Sequence, residues 1–332
     1  MLTPPEDLDT EELSEVLRDG WRIEEAEVSY AAVGNGTHNW RVAAPGSRRW
    51  FLKAYRRNGD SSFFDASYRT AAALHDAGLD FITAPIADRE GRLRPGLSDR
   101  WELALLPFVE GRNTDFSVSA ERAGIASVVG RLHTFGPAPE SALRWTPGYL
   151  QPELRELLDR ELDRPWRSGP HGEPARALLT RHRAGVERLL ALAERLADRL
   201  AGSGEPWVIT HGEPHGGNTM RDEVGATHLI DCDAMMVAPR ERDLRLLLHA
   251  SHRGPRGVDG TEVLAAYRAA AGEVEVRSFV VELFRAEWYM MEICRYATGF
   301  FRPHTEYEDM ENAWRGLRNY VPAEPNWLEI RA

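Results

Sequence analysis

Apolar residues recur at two different spacings along this chain, and the change falls near residue 107. Asp9-Thr10-Glu11-Glu12 makes an acidic helix start, and Leu13, Val16 and Leu17 then share one face, which predicts a first helix. Residues 27–33 and 38–43 flank Gly34-Asn35-Gly36 and predict a hairpin with a glycine-rich tip. Over 49–56, Trp50, Leu52 and Ala54 alternate with Phe51, Lys53 and Tyr55, as in a half-buried strand. A helix follows over 61–77, closed by Gly78, and two more strands are predicted over 81–87 and 100–107 with a turn at Glu90-Gly91. These pieces amount to a five-stranded antiparallel sheet with one inserted helix.

Beyond Pro107-Phe108-Val109-Glu110-Gly111 helical periodicity takes over. Ile125, Val128, Val129 and Leu132 form one stripe, and residues 174–200 carry leucine and valine at helical spacing, a core stripe rather than a partner surface. Further helices are predicted near 240–251, 261–271, 277–299 and 308–320. Two short apolar runs, 207–210 and 228–232, are too brief to be helices. The fold class is α+β. Residues 1–107 form a small β-rich lobe, residues 107–113 a hinge, and residues 108–332 a larger helical lobe.

Composition narrows the functions. The 332 residues include 41 basic and 52 acidic side chains, a net charge of −11, which argues against a nucleic-acid binder because phosphate neutralisation needs a cationic surface. Cys232 and Cys294 are too few for a disulfide framework or a cysteine-rich zinc site. The first ten residues have no basic and apolar leader, and no apolar run reaches the length of a membrane span, so a cytoplasmic setting is expected. Of the 41 basic residues only Lys53 is lysine. A slim point charge survives there in a chain that otherwise uses the wide arginine fork.

The densest polar cluster is Thr210-His211-Gly212-Glu213-Pro214-His215-Gly216-Gly217-Asn218-Thr219, followed by Leu229-Ile230-Asp231-Cys232-Asp233. It lies between the two short apolar runs and is therefore a loop. Asn218 and Asp231 offer hard oxygen ligands suited to Mg²⁺ beside phosphates. Glu213 offers a carboxylate that can orient a hydroxyl, and Lys53 a charge that can hold phosphates. Zinc is disfavoured: the H-x-E at 211–213 lacks the P-C-x-x-C of zinc deaminases, and H-E-x-x-H is absent. A P-loop is excluded by the position of the one lysine, and Gly34-Asn35-Gly36 lies between strands rather than before a helix, against a dinucleotide fold.

These motifs resemble the aminoglycoside phosphotransferase and choline kinase family, relatives of the protein kinases. The family's catalytic loop reads like His-Gly-Asp-x-His-x-x-Asn, against His211-Gly-Glu-Pro-His-Gly-Gly-Asn218 here. Its metal segment reads like Ile-Asp-Trp-Asp, against Ile230-Asp-Cys-Asp233, and Pro239-Arg-Glu-Arg-Asp243-Leu244 matches a downstream Pro-x-x-x-Asp-Leu. Lys53 and the glycine hairpin precede them in the right order, so the resemblance spans roughly 25–250.

The resemblance implies a protein-kinase-like bilobal fold and an ATP-dependent small-molecule kinase, with GTP an open alternative and Mg²⁺ as cofactor. Gly34, Gly36 and Lys53 would hold the nucleotide phosphates, and the backbone of Pro107, Phe108 and Val109 would face the adenine. Glu213 would act on the acceptor hydroxyl, and Asn218 and Asp231 would bind the metal. His211 would brace the loop and Asp243 anchor it. The acceptor would be an aminoglycoside-like antibiotic, an aminocyclitol or a related small molecule, with cationic character suiting the acidic chain; choline, homoserine and sugars stay open. Asp233, Glu287, Trp288 and Glu292 are candidates for the acceptor wall. Taken singly, Glu282, Glu287 and Glu292 read rather as a solvated helix face with core aromatics; as a region the helix reads as the acceptor wall. No nucleic acid or membrane partner is expected, and protein partners are undetermined. Two departures stand out: the catalytic position is Glu213 rather than Asp, and the helix over 61–77 has no glutamate to pair with Lys53. They motivate an alternative, a pseudokinase or nucleotide-binding regulatory module.

Overall fold

The structure is a computed structural model that describes residues 1–34, 36–57, 61–149, 151–202, 207–248, 260–301 and 307–321. Asn35 at the predicted hairpin tip and the end of the predicted 240–251 helix lie outside the described residues. Along the chain come α1 (Thr10–Trp21), β1 (Glu27–Tyr30), β2 (His38–Ala44), β3 (Arg48–Arg56), α2 (Ser62–Asp76), β4 (Trp101–Pro107), β5 (Gly111–Asn113) and α3 (Ser119–His133). Then follow α4 (Gln151–Glu156), which runs into a π-helical turn, α5 (Gly172–Ala201), β6 (Val208–Thr210), β7 (Thr219–Asp222), β8 (Thr227–Leu229) and β9 (Met236–Ala238). The last elements are α6 (Glu241–Leu248), α7 (Thr261–Ala271), α8 (Ser278–Phe301) and α9 (Tyr307–Tyr320).

The chain forms two compact units. The first comprises Met1–Trp145 with Trp207–Glu275, and the second Thr146–Pro206 with Val276–Ala332.

In the first unit β1 to β4 pair in sequence order as an antiparallel sheet. Asp9 caps α1 by accepting the Glu12 N–H at 2.8 Å, and Leu13 and Leu17 bury against Trp40, Leu52 and Trp101 of the sheet. The expected fifth strand over 81–87 does not form. Its first part turns away, with Ile82 bridging in parallel to Leu229, while only Ile86 bridges back to Leu105 of β4. Pro85 stands between the two pairings, and proline has no N–H to donate to a ladder. The detour is productive. Phe81, Ile82, Leu229, Cys232 and Val237 share one buried cluster with Ala71 and Leu74 of α2, so this core ties α2 to the polar loops downstream. Those loops hang on two small sheets, β5-β7-β8 and β6-β9.

In the second unit α5 packs along α8, and α8 packs against α9. The apolar stripe of α5 is buried at Leu179, Val186, Leu189, Leu190, Leu196 and Leu200, as its periodicity predicts. Among the described residues no helix is long and apolar enough to cross a membrane.

Candidate active site

Lys53 leaves β3 between Asn39 of β2 and Ala104 of β4, and is 6% exposed. Its ammonium forms an ion pair with Asp231 Oδ1 and lies 3.2 Å from Asp233 Oδ2. Burial alone would lower the lysine pKa, but the two carboxylates outweigh it and hold the pKa well above its usual value. The same contact divides the carboxylates. Burial pushes both upward, but Lys53 keeps Asp231 below the ordinary range, while Asp233, beside the charge of Asp231, stays raised.

The segment 231–233 alternates. Cys232 is fully buried in the hydrophobic cluster, and the aspartates on either side point the other way, to Lys53. Asp231 has φ +61°, a left-handed conformation that costs a residue with a side chain about 1–3 kcal/mol and persists only where surroundings enforce it. Here the neighbouring Ile230 N–H donates to Asn218 O at 3.0 Å, pinning the 230–233 segment to the polar loop.

That loop is fixed from below. Asp243, fully buried on α6, accepts the N–H groups of His211 at 2.8 Å and Gly212 at 2.6 Å, and its other contact is His133 Nε2 at 3.1 Å. Burial would raise the Asp243 pKa, but the His133 hydrogen bond and the surrounding positive charge bring it down to about 2. His211 Nε2 donates to Ile230 O at 2.9 Å and its Nδ1 accepts the Glu213 N–H at 3.3 Å, one consistent tautomer. His211 thus braces the loop, and burial depresses its pKa.

Asn113 and Thr114 were not singled out in the sequence. Asn113 Nδ2 donates to Gly216 O at 3.2 Å and Gly217 O at 3.1 Å, and the hydroxyls of Thr114 and Thr219 are hydrogen-bonded. A Gly-Arg-Asn-Thr stretch carries no pattern that would reveal this. Only the antiparallel pairing of β5 with β7 brings it to the loop.

These elements enclose a cleft of about 380 Å³. Of the predicted site residues, Gly34, Lys53, Pro107, Phe108, Val109, Asn218 and Asp231 line it. Gly36, Glu213 and Asp233 stand outside that lining. Glu213 is half-buried on the loop, its carbonyl accepting the His215 N–H at 2.8 Å. Gly34 has φ +77°, and a Cβ there would meet Asn39 Nδ2 at 3.3 Å, so the hairpin end facing the cleft requires glycine.

The remaining candidates lie on α8 in the second unit. Glu287 and Glu292 are 5% and 2% exposed, and Glu282 is buried too, so the solvated-face alternative is corrected. The helix can bury these charges because arginines one turn on neutralise two of them: Arg285 lies 2.8 Å from Glu282 and Arg295 lies 2.6 Å from Glu292. Trp288 Nε1 donates to Tyr320 OH at 3.3 Å.

An α+β chain with a buried lysine on the third strand, opposed across a cleft by an amide and an acid from two later loops, has the protein-kinase-like fold and the parts of a phosphotransferase. Comparison with known proteins agrees. Residues 28–283 match the model of the phosphotransferase enzyme family, and the chain belongs to that family. It is a phosphotransferase with an alcohol group as acceptor. Protein StrN of Streptomyces griseus is 25% identical over 280 residues, covering 80% of this chain and 79% of that protein. Among solved structures, a spectinomycin phosphotransferase in complex with ADP and spectinomycin superposes with TM-score 0.72 at 17% identity, covering 97% of this chain and all of that one. Choline kinase LicA from Streptococcus pneumoniae superposes with TM-score 0.58 at 16% identity, covering 93% and 98%.

Proposed function

We propose that this chain transfers the γ-phosphoryl group of ATP to a hydroxyl of an aminoglycoside-like antibiotic, an aminocyclitol or a related small molecule. The observation that carries the reading is the convergence on one cleft of Lys53, Asn218 and Asp231 with the strand end at 107–109. The lysine and the aspartate are 178 positions apart in sequence, yet they form an ion pair.

In this reading the backbone of Pro107–Val109 binds the base and Lys53 takes the α/β-phosphates. Asn218 and Asp231 would hold Mg²⁺. Their donor set fits it, since both offer hard oxygens on the cleft wall and Asp231 already binds a cation, the Lys53 ammonium. Bound there, Mg²⁺ supplies charge neutralisation on the transferring phosphates.

Glu213 takes the proton of the acceptor hydroxyl as its oxygen bonds to the γ-phosphorus. The bond from that phosphorus to the β–γ bridging oxygen breaks, and ADP leaves. Phosphoryl transfer asks mainly for positioning and charge neutralisation, so this short set of groups can suffice. Residues 1–107 would serve the nucleotide and residues 108–332 catalysis and the acceptor.

The test is ADP release with Mg-ATP across a panel of aminoglycosides, spectinomycin-type aminocyclitols, choline and amino sugars. Acceptor-dependent turnover that disappears in Asp231→Ala supports the reading. Normal turnover in that variant would overturn the site. Glu213 at the position where the family carries Asp favours a second reading, a nucleotide-binding module. ADP binding with no release on any acceptor would support it.

A further inference from the structure

Lys53 has two carboxylate partners, and under the proposed function one of them has other work. Asp231 would also hold the metal once nucleotide is bound, which leaves Asp233 as the acid that can stay on the lysine. Asp233 is itself held. Tyr55 OH donates to Asp233 Oδ2 at 3.0 Å, the same oxygen that lies 3.2 Å from the Lys53 ammonium. Tyr55 OH lies 2.5 Å from Tyr68 OH. Because Tyr55 spends its one proton on Asp233, it must accept from Tyr68, so the direction is fixed: Tyr68 to Tyr55 to Asp233.

The geometry has clear origins in the sequence. Lys53 and Tyr55 are two apart on β3 and therefore emerge on one face of the sheet. Tyr68 is fully buried in the middle of α2, whose neighbouring Ser67 hydroxyl donates to Met235 O at 3.1 Å and docks the helix onto the segment that carries Asp233. The Arg94 guanidinium lies 4.7 Å from the Tyr55 ring and forms an ion pair with Asp65 at 3.0 Å, so the one acid in the first turns of α2 is occupied elsewhere. With no carboxylate from the helix aimed at the lysine, the helix contributes a phenol.

We propose that Tyr68 and Tyr55 are positioning residues that hold Asp233, and through it Lys53, ready for the nucleotide phosphates. The proposal rests on the phosphotransferase reading of the cleft. It separates Asp233 from the acceptor wall: this acid serves the lysine.

The test uses the whole chain with two probes, Mg-ADP and adenosine, measured by calorimetry on wild type, Tyr55→Phe and Tyr68→Phe. A hydrogen bond to a charged group is worth roughly tenfold or more, so Tyr55→Phe should weaken Mg-ADP binding about tenfold. Tyr68→Phe, one bond further away, should weaken it by a smaller factor. Adenosine, which has no phosphates to meet Lys53, should bind all three proteins alike. In a Lys53→Met background, Tyr55→Phe should have no further effect on Mg-ADP. Should Lys53→Met fail to fold, Asp233→Asn serves as the background, because the tyrosines act through that acid.

Equal losses for adenosine and Mg-ADP would mean a merely structural role and would overturn the proposal. So would unchanged Mg-ADP binding, or a tyrosine effect that persists in full without Lys53. If wild type bound neither probe, the phosphotransferase reading of the cleft would fail first and the brace would fall with it.

Discussion

Replacing Lys53 by arginine keeps the charge, so its consequence isolates shape. The side chain is almost wholly enclosed, with Asp231 and Asp233 at its tip and the Tyr55 ring centroid 5.4 Å from the nitrogen. Coulomb attraction to the two acids survives the change. The planar guanidinium, however, adds heavy atoms to a filled site, and overpacking of this kind costs about 1–3 kcal/mol of stability. The nucleotide should suffer more. If the compact ammonium no longer reaches the phosphates, the lost charge-assisted hydrogen bond is worth about 1.5–3 kcal/mol, or roughly 10- to 150-fold in affinity.

Lys53→Met is the counterpart that keeps approximate volume and removes charge. It leaves two neighbouring acids without a cation. Breaking a buried pair costs about 3–5 kcal/mol, and the low end applies because the Asp231 side chain is 37% exposed to the cleft. Urea denaturation and Mg-ADP calorimetry on both variants separate the effects: the methionine variant should be the less stable of the two, and both should bind Mg-ADP poorly. An arginine variant binding Mg-ADP within about twofold of wild type would refute the reasoning, and the solitary lysine would then be an accident of composition.

Other perturbations follow from the same geometry. Glu213→Gln should leave Mg-ADP affinity unchanged while acceptor-dependent turnover falls by about 10²- to 10⁴-fold, the usual weight of a general base, in a steady-state assay. The Asp243 pKa, held at about 2 against an ordinary 3.8, contributes about 2 kcal/mol that is fully present above roughly pH 4 and is lost as the pH falls from 3.8 toward 2. Asp243→Asn should therefore lower the urea midpoint at pH 7, and its gap to wild type should narrow as the pH approaches 3. A Cβ at Gly111, where φ is +145°, would lie 2.2 Å from Arg221 O, so Gly111→Ala should force β5 off β7 and lower the melting temperature by the equivalent of about 1–3 kcal/mol.

Much of this was legible because local physics left marks in the sequence. The helix over 261–271 matches α7 to the residue, since its apolar spacing and ends are set within its own turns. The two polar loops were readable because charged residues and glycines crowd between apolar runs too short to be helices. The 81–87 segment reads as one strand and does not form one, for an equally physical reason. Its composition suits a ladder, but Pro85 divides it, and which neighbour each half takes depends on where Leu229 and Leu105 come to lie.

The chain's sequence alone determined which chemical groups are available: one lysine, the Glu213 and Asp231 carboxylates, the Asn218 amide, and the α+β succession of elements that carries them. It could not say what holds the lysine. In the structure Asp231 and Asp233 meet it, and Asp233 is tied in turn to Tyr55 and Tyr68, contacts that form only when β3, α2 and the 231–235 segment pack together. Likewise the Asn113 contacts to Gly216 and Gly217 exist only because β5 pairs with β7. Hydrogen bonds between side chains far apart in sequence leave no periodic trace, since each partner need satisfy only the other. Tertiary structure therefore decided the arrangement of a site whose ingredients were already written out.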